Sequence, residues 1–251
     1  MGFARPRNVG HPWPVFPMLL ALMTYNVNYA NPDPDRSIDA IAAADADVVL
    51  LQEITDAWRI RLATRLARQY PHRTFHPARA GGLAVLSKRE IRSDQLLPPP
   101  PGGFFPAERL VVASPLGDVQ ILHVHLRPNV DRGDWIRGWQ TTPPVRRREI
   151  ETYHAKLAPG IATIVAGDFN ELPSGLAVEF LVKQGFARIP TTGPTTWHHV
   201  IDVAGARVSA LSLDIDHVVI DATLAPSDAR VLDAGTSDHR PVVVTLTRAA
   251  T

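Results

Sequence analysis

The sequence predicts an α/β fold, a mixed β-sheet system covered by helices, and three observations carry the prediction. First, the 251 residues are 45% hydrophobic and 20% charged, the proportions of a globular chain long enough to bury a real core. Second, apolar runs of strand length alternate with stretches of helical periodicity. Third, the strand-like runs occur both as adjacent pairs and as pairs separated by a helix, which a mixed sheet accommodates. No internal repeat and no convincing linker divides the chain. Residues 18–251 are therefore read as a single domain behind a loose leader at 1–17.

Met18–Val27 (MLLALMTYNV) is the first buried strand, and Met18 is a candidate start. The apolar run Val15–Met23 is interrupted by Pro17 and is about half the ~20 residues that a membrane-spanning helix needs. No small-residue cleavage site follows it, so the signal-peptide reading is disfavoured. Ser37 is expected to cap a helix ending near Ala44, followed by a strand over Asp47–Gln52. Trp58, Leu62 and Leu66 recur at helical spacing and predict an amphipathic helix over Asp56–Gln69. Gly81–Ser87 reads as a strand. Leu110–Ala113 and Val119–Leu126 read as a hairpin turning at Pro115–Gly117. A long loop is expected over Arg127–Val145, then a helix over Arg146–Leu157 with an unfavourably basic start. Ile161–Ala166, Val208–Leu213, His217–Ile220 and Val242–Leu246 read as strands, and Ser174–Gln184 as a helix.

Composition excludes several classes of function. Lys and Arg total 26 against 25 Asp and Glu, a net charge of +1, so contact with a polyanion must be local. The absence of cysteine removes disulfides, thiolate nucleophiles and zinc–thiolate sites. The expected location is the cytoplasm, with secretion or a periplasmic location left open. No transmembrane segment and no obligate protein partner is implied.

The chemistry lies at the strand ends. Asn26 closes the first strand, Glu53 follows the second, and His125 ends the hairpin. Asp168 and Asn170 follow IVAGDFN, Asp216 and His217 sit in LDIDHVVI, and Asp238 and His239 precede the last strand. Each alone is as well read as a turn former, a helix-start acid or a capped turn. Together they offer hard oxygen donors for a divalent cation, a carboxylate and amide to position water, and two imidazoles to face phosphoryl oxygens. No GxSxG elbow or HExxH helix competes with that reading.

With these residues in view, the chain resembles the endonuclease/exonuclease/phosphatase superfamily. The matching motifs are TYNV (Thr24–Val27), LQE (Leu51–Glu53), GGLAVLSK (Gly81–Lys88), HVHL (His123–Leu126), GDFN (Gly167–Asn170), IDHV (Ile215–Val218) and SDHRPV (Ser237–Val242), in family order. The resemblance implies a four-layer α/β/β/α sandwich of two mixed β-sheets with the site in a cleft at one end. It implies Glu53 as the principal Mg²⁺ ligand (Mn²⁺ substituting), assisted by Asn26 and Asp238. Asp168 would activate or orient the water, Asn170 would position it and the phosphate, and Asp216 would orient His239. His125 would stand on the other side of the phosphate. His123 is read as structural and as facing the opposite side of its strand, and Asp214 as a weaker candidate for the role of Asp216.

The proline-rich segment between Arg89 and His125 departs from the apurinic-endonuclease pattern. Arg109, in FPAERLVV, is a candidate phosphate contact by loose alignment, with a structural arginine as the alternative. Arg127, Arg132, Trp135, Arg137 and Trp139 suggest either base stacking or a loop pinned by its tryptophans. Trp197-His198-His199 is read as a surface segment, one histidine of which could reach substrate. The expected function is Mg²⁺-dependent phosphodiester hydrolysis, with DNA or RNA as substrate. The alternatives are a phosphatase or phosphodiesterase of small or lipid-headgroup phosphoesters, and a non-catalytic binding protein on the same fold.

Overall fold

A computed structural model describes residues 18–203 and 206–250, with only the backbone described over 200–209; the leader expected at 1–17 lies outside the described residues. The first half of the chain forms β1 (Leu20–Asn26), α1 (Pro34–Ala44), β2 (Val48–Gln52), α2 (Asp56–Arg65), β3 (His72–His76), β4 (Leu83–Ser87), β5 (Ile91–Leu97), β6 (Ala107–Ser114) and β7 (Gly117–His125). The second half forms α3 (Trp135–Thr141), α4 (Pro143–His154), β8 (Ala162–Asp168), α5 (Leu176–Lys183), β9 (Ala187–Arg188), β10 (Trp197–Val203), β11 (Ala206–Leu213), β12 (Asp216–Ile220), β13 (Leu224–Val231) and β14 (Val242–Arg248). Two six-stranded sheets result, ordered β13-β14-β1-β2-β4-β3 and β5-β6-β7-β8-β12-β9, with β10 and β11 as a separate ribbon. Both sheets are mixed: β1–β2 and β7–β8 are parallel, and their other pairs are antiparallel.

Strand alternation builds the layers. Leu20, Leu22, Val48 and Leu50 meet Ile121, Ile164, Ala166, Val218 and Ile220 between the sheets. On the outer face of the first sheet, Met23, Tyr25, Val49 and Leu51 pack on Ile38, Ile41, Trp58 and Leu62 of α1 and α2. On the outer face of the second, Leu122, Val124 and Val165 pack on Ile150, Tyr153, Val178 and Leu181 of α4 and α5. The molecule is thus an α/β/β/α sandwich.

Several boundaries differ from expectation. Asp33, not Ser37, caps α1; Ser37 is buried inside the helix, 3.1 Å from the Tyr25 hydroxyl. The segment read as a loop over 127–145 contains α3, capped by Asp134, and α4 starts at Pro143 because proline suits the first helical positions. Of the five strands absent from the sequence reading, β3, β5, β9 and β13 are the edges of the two six-stranded sheets, and β10 belongs to the separate ribbon. Edge strands such as HRTFH and IRSDQLL carry polar residues that blunt the open edge, and so lack an apolar signature.

At one open edge, His76 on β3 sits 3.3 Å from Asp94 on β5 and 3.5 Å from fully buried Glu108 on β6. Hydrogen bonding to Glu108 raises the His76 pKa above its ordinary value of 6.5. Its stabilisation is therefore complete below pH 6.5 and is lost as pH rises through the folded pKa. Asp94, raised by burial to about 6, loses its own contribution at lower pH, between 3.8 and that value. We expect the urea midpoint of the protein to fall as pH rises above 6.5, with His239 and Asp168 contributing to the slope, and the His76→Gln variant to show a shallower one. An identical slope in the variant would remove His76 from the pH response.

Candidate active site

The same alternation that faces aliphatic residues between the sheets carries polar groups to their ends. Asn26 is in phase with Leu20 and Leu22, Asp168 with Ile164 and Ala166, Asp216 with Val218 and Ile220, and His125 with Val119 and Ile121. Pairing register completes the assembly: His125 lies opposite Asp168, and Asp168 opposite Asp216. Gly167 makes that spacing possible. It has φ +145°, and a Cβ there would stand 1.9 Å from the Val124 carbonyl oxygen on β7. Glu53 and Asn170, each just past a strand, hold left-handed backbone at φ 66° and 53°, a conformation uncommon for Glu and better tolerated by Asn.

Asp168 Oδ2 is the point of convergence. It accepts from Asn26 Nδ2 at 3.0 Å and lies 3.5 Å from His125 Nε2 and 3.6 Å from His239 Nε2. Its other oxygen accepts from the Asn170 amide at 2.8 Å. Burial pushes the Asp168 carboxyl up to about 7, against the pull of His239 and Asn26. His239 Nδ1–H donates to Asp216 Oδ2 at 2.9 Å, which turns Nε2 toward Asp168. Burial alone would lower the His239 pKa, but the Asp216 and Asp168 carboxylates outweigh it and raise it to about 10. His125, stacked on Phe105 at 4.4 Å, is lowered to about 3 by burial and by the His239 charge, and stays neutral.

Glu53 accepts from the Tyr29 amide at 2.9 Å and from Asn26 Nδ2 at 3.2 Å. Asn26 therefore turns its nitrogen to both acids, while its oxygen accepts from the Asn28 amide at 3.1 Å. Asp238 accepts from Asn28 Nδ2 at 2.7 Å and from Trp197 Nε1 at 3.0 Å. The donor set fits a hard divalent cation: Glu53, Asp168, Asp216 and Asp238 bring four carboxylates against one cationic imidazole. Burial raises Glu53 as well, the mark of a carboxylate with too little positive charge beside it. Asp168, Asp216 and His239 also present ligand atoms within 4.8 Å of one another.

A buried network holds the Asn170 loop. Arg146, 1% exposed, donates to Glu171 at 3.2 Å, Asn129 Oδ1 at 2.9 Å, Thr142 Oγ1 at 2.8 Å and the Arg127 carbonyl at 3.1 Å. Asn129 in turn donates to the Asn170 carbonyl at 2.6 Å, and Glu171 accepts from the Ala177 and Val178 amides of α5. The first arginine of the basic helix start is the largest fully buried side chain of the described residues.

The structure brings Asn26, Glu53, His125, Asp168, Asn170, Asp216, Asp238 and His239 to one end of the sandwich, and corrects other expectations. Arg109 is not in the cleft: it lies on the helix-facing side of β6 and donates to the Lys156 carbonyl at 2.7 Å, a structural role. His123 does not face away from His125; residues two apart on a strand share a face. It lies between the sheets, accepting from Gln52 Nε2 at 2.7 Å and facing Glu108 at 3.4 Å. Asp214 accepts from the Thr196 amide at 3.1 Å rather than from His239. Asn28, Tyr29 and Asn129 escaped the sequence reading. Asn28 could have been found, since it follows Asn26 at strand spacing in TYNVN.

No described helix is long and apolar enough to cross a membrane. A search of curated proteins finds no match. Among solved structures, an endonuclease/exonuclease/phosphatase from Beutenbergia cavernae DSM 12333 is 21% identical with a TM-score of 0.73, covering 93% of this chain and 72% of that one. A family protein from Leptotrichia buccalis C-1013-b is 15% identical at TM-score 0.68, covering 92% of this chain and 100% of that one. D. rerio TDP2 complexed with single strand DNA product is 15% identical at TM-score 0.66, covering 91% and 99%. Likeness at these identities establishes the fold. A sequence model of the endonuclease/exonuclease/phosphatase family matches residues 23–239, most of the chain. This protein therefore belongs to the endonuclease/exonuclease/phosphatase family and has the fold of its phosphoric ester hydrolases.

Proposed function

We propose that the protein hydrolyses phosphodiesters with Mg²⁺ (or Mn²⁺ in its place), and that its substrate is a nucleic acid. The observation that carries the reaction is the meeting of His125, His239 and Asn26 on Asp168 Oδ2 beside Glu53. Glu53 and Asp238 would hold the cation; Asn26, whose amide nitrogen faces Glu53 and Asp168 while its oxygen accepts from Asn28, would steady the acids. When bound, it supplies a Lewis acid for a phosphoryl oxygen and offsets the carboxylate charge that would repel the substrate. Asp168, with proton affinity near neutrality, takes the proton of the attacking water. Asn170 positions that water and the phosphate. His239, fixed by Asp216 and protonated, donates from Nε2 to a phosphoryl oxygen, and neutral His125 faces the same group.

Nucleic acid is favoured by what adjoins the cleft. A second depression shares Asn28 and Asp238 with it and is lined by Arg36, His198 and His199, with Arg240 paired to Asp233 at 2.9 Å; Arg36 offers a place for the next phosphate of a chain. The TDP2 structure with single strand DNA product has the same fold and supports the reading. A small phosphoester is the second reading, because no Lys or Arg lines the cleft itself.

The test is turnover of bis-p-nitrophenyl phosphate, single-stranded DNA, RNA and plasmid across a Mg²⁺ and Mn²⁺ titration. Hydrolysis that persists in excess chelator would overturn the metal assignment. Diester cleavage without cleavage of any nucleic acid would favour the small-phosphoester reading. Glu53→Gln is expected to raise the Mg²⁺ concentration for half-maximal rate by about 10–100-fold or more, read in parallel by calorimetric Mn²⁺ binding. Unchanged Mn²⁺ affinity would remove Glu53 from the metal site.

A further inference from the structure

The cleft above Asp168 has a volume of about 450 Å³, within the range of small-ligand sites. Six aromatic side chains line it: Tyr29, Phe104, Phe105, Trp135, Trp139 and Trp197. Trp135 and Trp197 of the cleft continue into His199 of the neighbouring depression as a ladder of three rings. Trp135 stacks on Trp197 at 6.3 Å and 26°, and Trp197 on His199 at 6.1 Å and 19°. Trp197 is fixed by its bond to Asp238, whereas Trp135, on the first turn of α3, is 54% exposed. A large exposed indole beside a reaction centre, with its ring parallel to a buried neighbour, offers a face to a further flat ring.

Charge narrows the occupant. The loop cations near the cleft are turned to other partners: Arg127 lies over the Phe104 ring at 4.1 Å, and Arg137 is paired with Asp131 at 2.7 Å. Within the cleft no Lys or Arg meets the phosphate, which is left to the imidazoles, Asn170 and the proposed metal; the remaining lining is aromatic, amide and aliphatic, with the carboxylates Glu53, Asp168 and Asp238. A nearly parallel ladder continues a stack, whereas an aromatic cage for an ammonium group presents converging faces. The neighbouring depression adds Arg36, while its Arg240 is held by Asp233 at 2.9 Å.

We infer that this cleft takes an unpaired heteroaromatic base attached to the scissile phosphate, stacked on Trp135, and therefore selects single-stranded or frayed nucleic acid over duplex. The inference rests on the hydrolase reading above and names its substrate class. A base inside a duplex must first leave its stack, which opposes binding, while stacking on tryptophan is indifferent to sequence. Trp135 is then a specificity residue supplied by α3, and Trp197 links the stacked base to Asp238.

Quenching of tryptophan fluorescence tests this, with Mg²⁺ for the monoesters and with the oligonucleotides read in the Asp168→Asn background so that they are not cut. The probes are deoxyadenosine 5′-monophosphate, deoxyribose 5-phosphate, phosphocholine, a single-stranded oligodeoxyadenylate and its duplex. The nucleotide is expected to bind about tenfold more tightly than the sugar phosphate. The single strand should bind more tightly than both the mononucleotide and the duplex; equal affinity for strand and mononucleotide would make the free nucleotide ester the source of the ring. Trp135→Ala should bring the nucleotide-to-sugar-phosphate ratio close to one, and Trp135→Phe should keep most of it. Equal affinities for nucleotide and sugar phosphate in the wild type, tighter phosphocholine, or a duplex bound as well as the single strand would overturn the inference. Diester hydrolysis without ring preference would sink this inference and spare the hydrolase. Ring preference without any hydrolysis would do the reverse.

Discussion

Asp168→Asn is expected to lower kcat on any diester substrate by about 10²–10⁴-fold, the range for losing a positioned proton acceptor. An amide occupies the same volume but cannot take the proton of the attacking water. Its nitrogen would also face donors from Asn26 or the Asn170 backbone, where the carboxylate now accepts at 3.0 Å and 2.8 Å. The fold should survive. Burial raises the Asp168 pKa from 3.8 to about 7, so its contribution to stability is present below 3.8 and lost as pH rises through about 7. Above that pH, in chelator, the variant is expected to unfold at a urea concentration equal to or higher than the wild type. Near wild-type kcat in Asp168→Asn would dismiss Asp168 as the base. A collapsed circular dichroism spectrum would instead make it structural.

Arg146→Ala is the largest stability effect expected from a single substitution here, a loss of about 3–5 kcal/mol in urea unfolding. The cost arises less from the lost ion pair than from what remains. Glu171 would be a buried carboxylate without its cation, while still accepting from the first turn of α5. Asn129 and Thr142 would lose their shared partner. Because Asn129 holds the Asn170 carbonyl, the damage should extend to the site, raising KM as well as lowering stability. The paired change Arg146→Met with Glu171→Gln, which removes the orphaned charge, is expected to recover at least half of the lost stability. A single-variant loss below about 1 kcal/mol would mean that water reaches Glu171 and the network does not hold the loop.

The layers and much of the site were legible because strand alternation has a fixed period. Once Leu20, Leu22, Ile164, Ala166, Val218 and Ile220 are assigned to one buried face, Asn26, Asp168 and Asp216 follow on that face by counting in twos. The same count places His123 beside His125, and the expectation that it faced away failed by ignoring the period. The edge strands were hidden for the opposite reason: half exposed and polar, HRTFH and IRSDQLL have no alternation to read. Arg146 was misjudged because sequence shows a charge but not its partner. In RRRE nothing distinguishes the arginine that Glu171 will bury from its solvated neighbours.

By itself, then, the order of residues determined which groups stand at the ends of the buried strands, since that depends only on a local repeat of two residues. The tertiary structure alone decided how those ends align across two sheets, which end of the Asn26 amide and which nitrogen of His239 face Asp168, and that α3 sets Trp135 against Trp197 beside them. Those contacts join residues up to 142 positions apart, as for Asn26 and Asp168, and their distances arise from packing between elements rather than from any pattern within one.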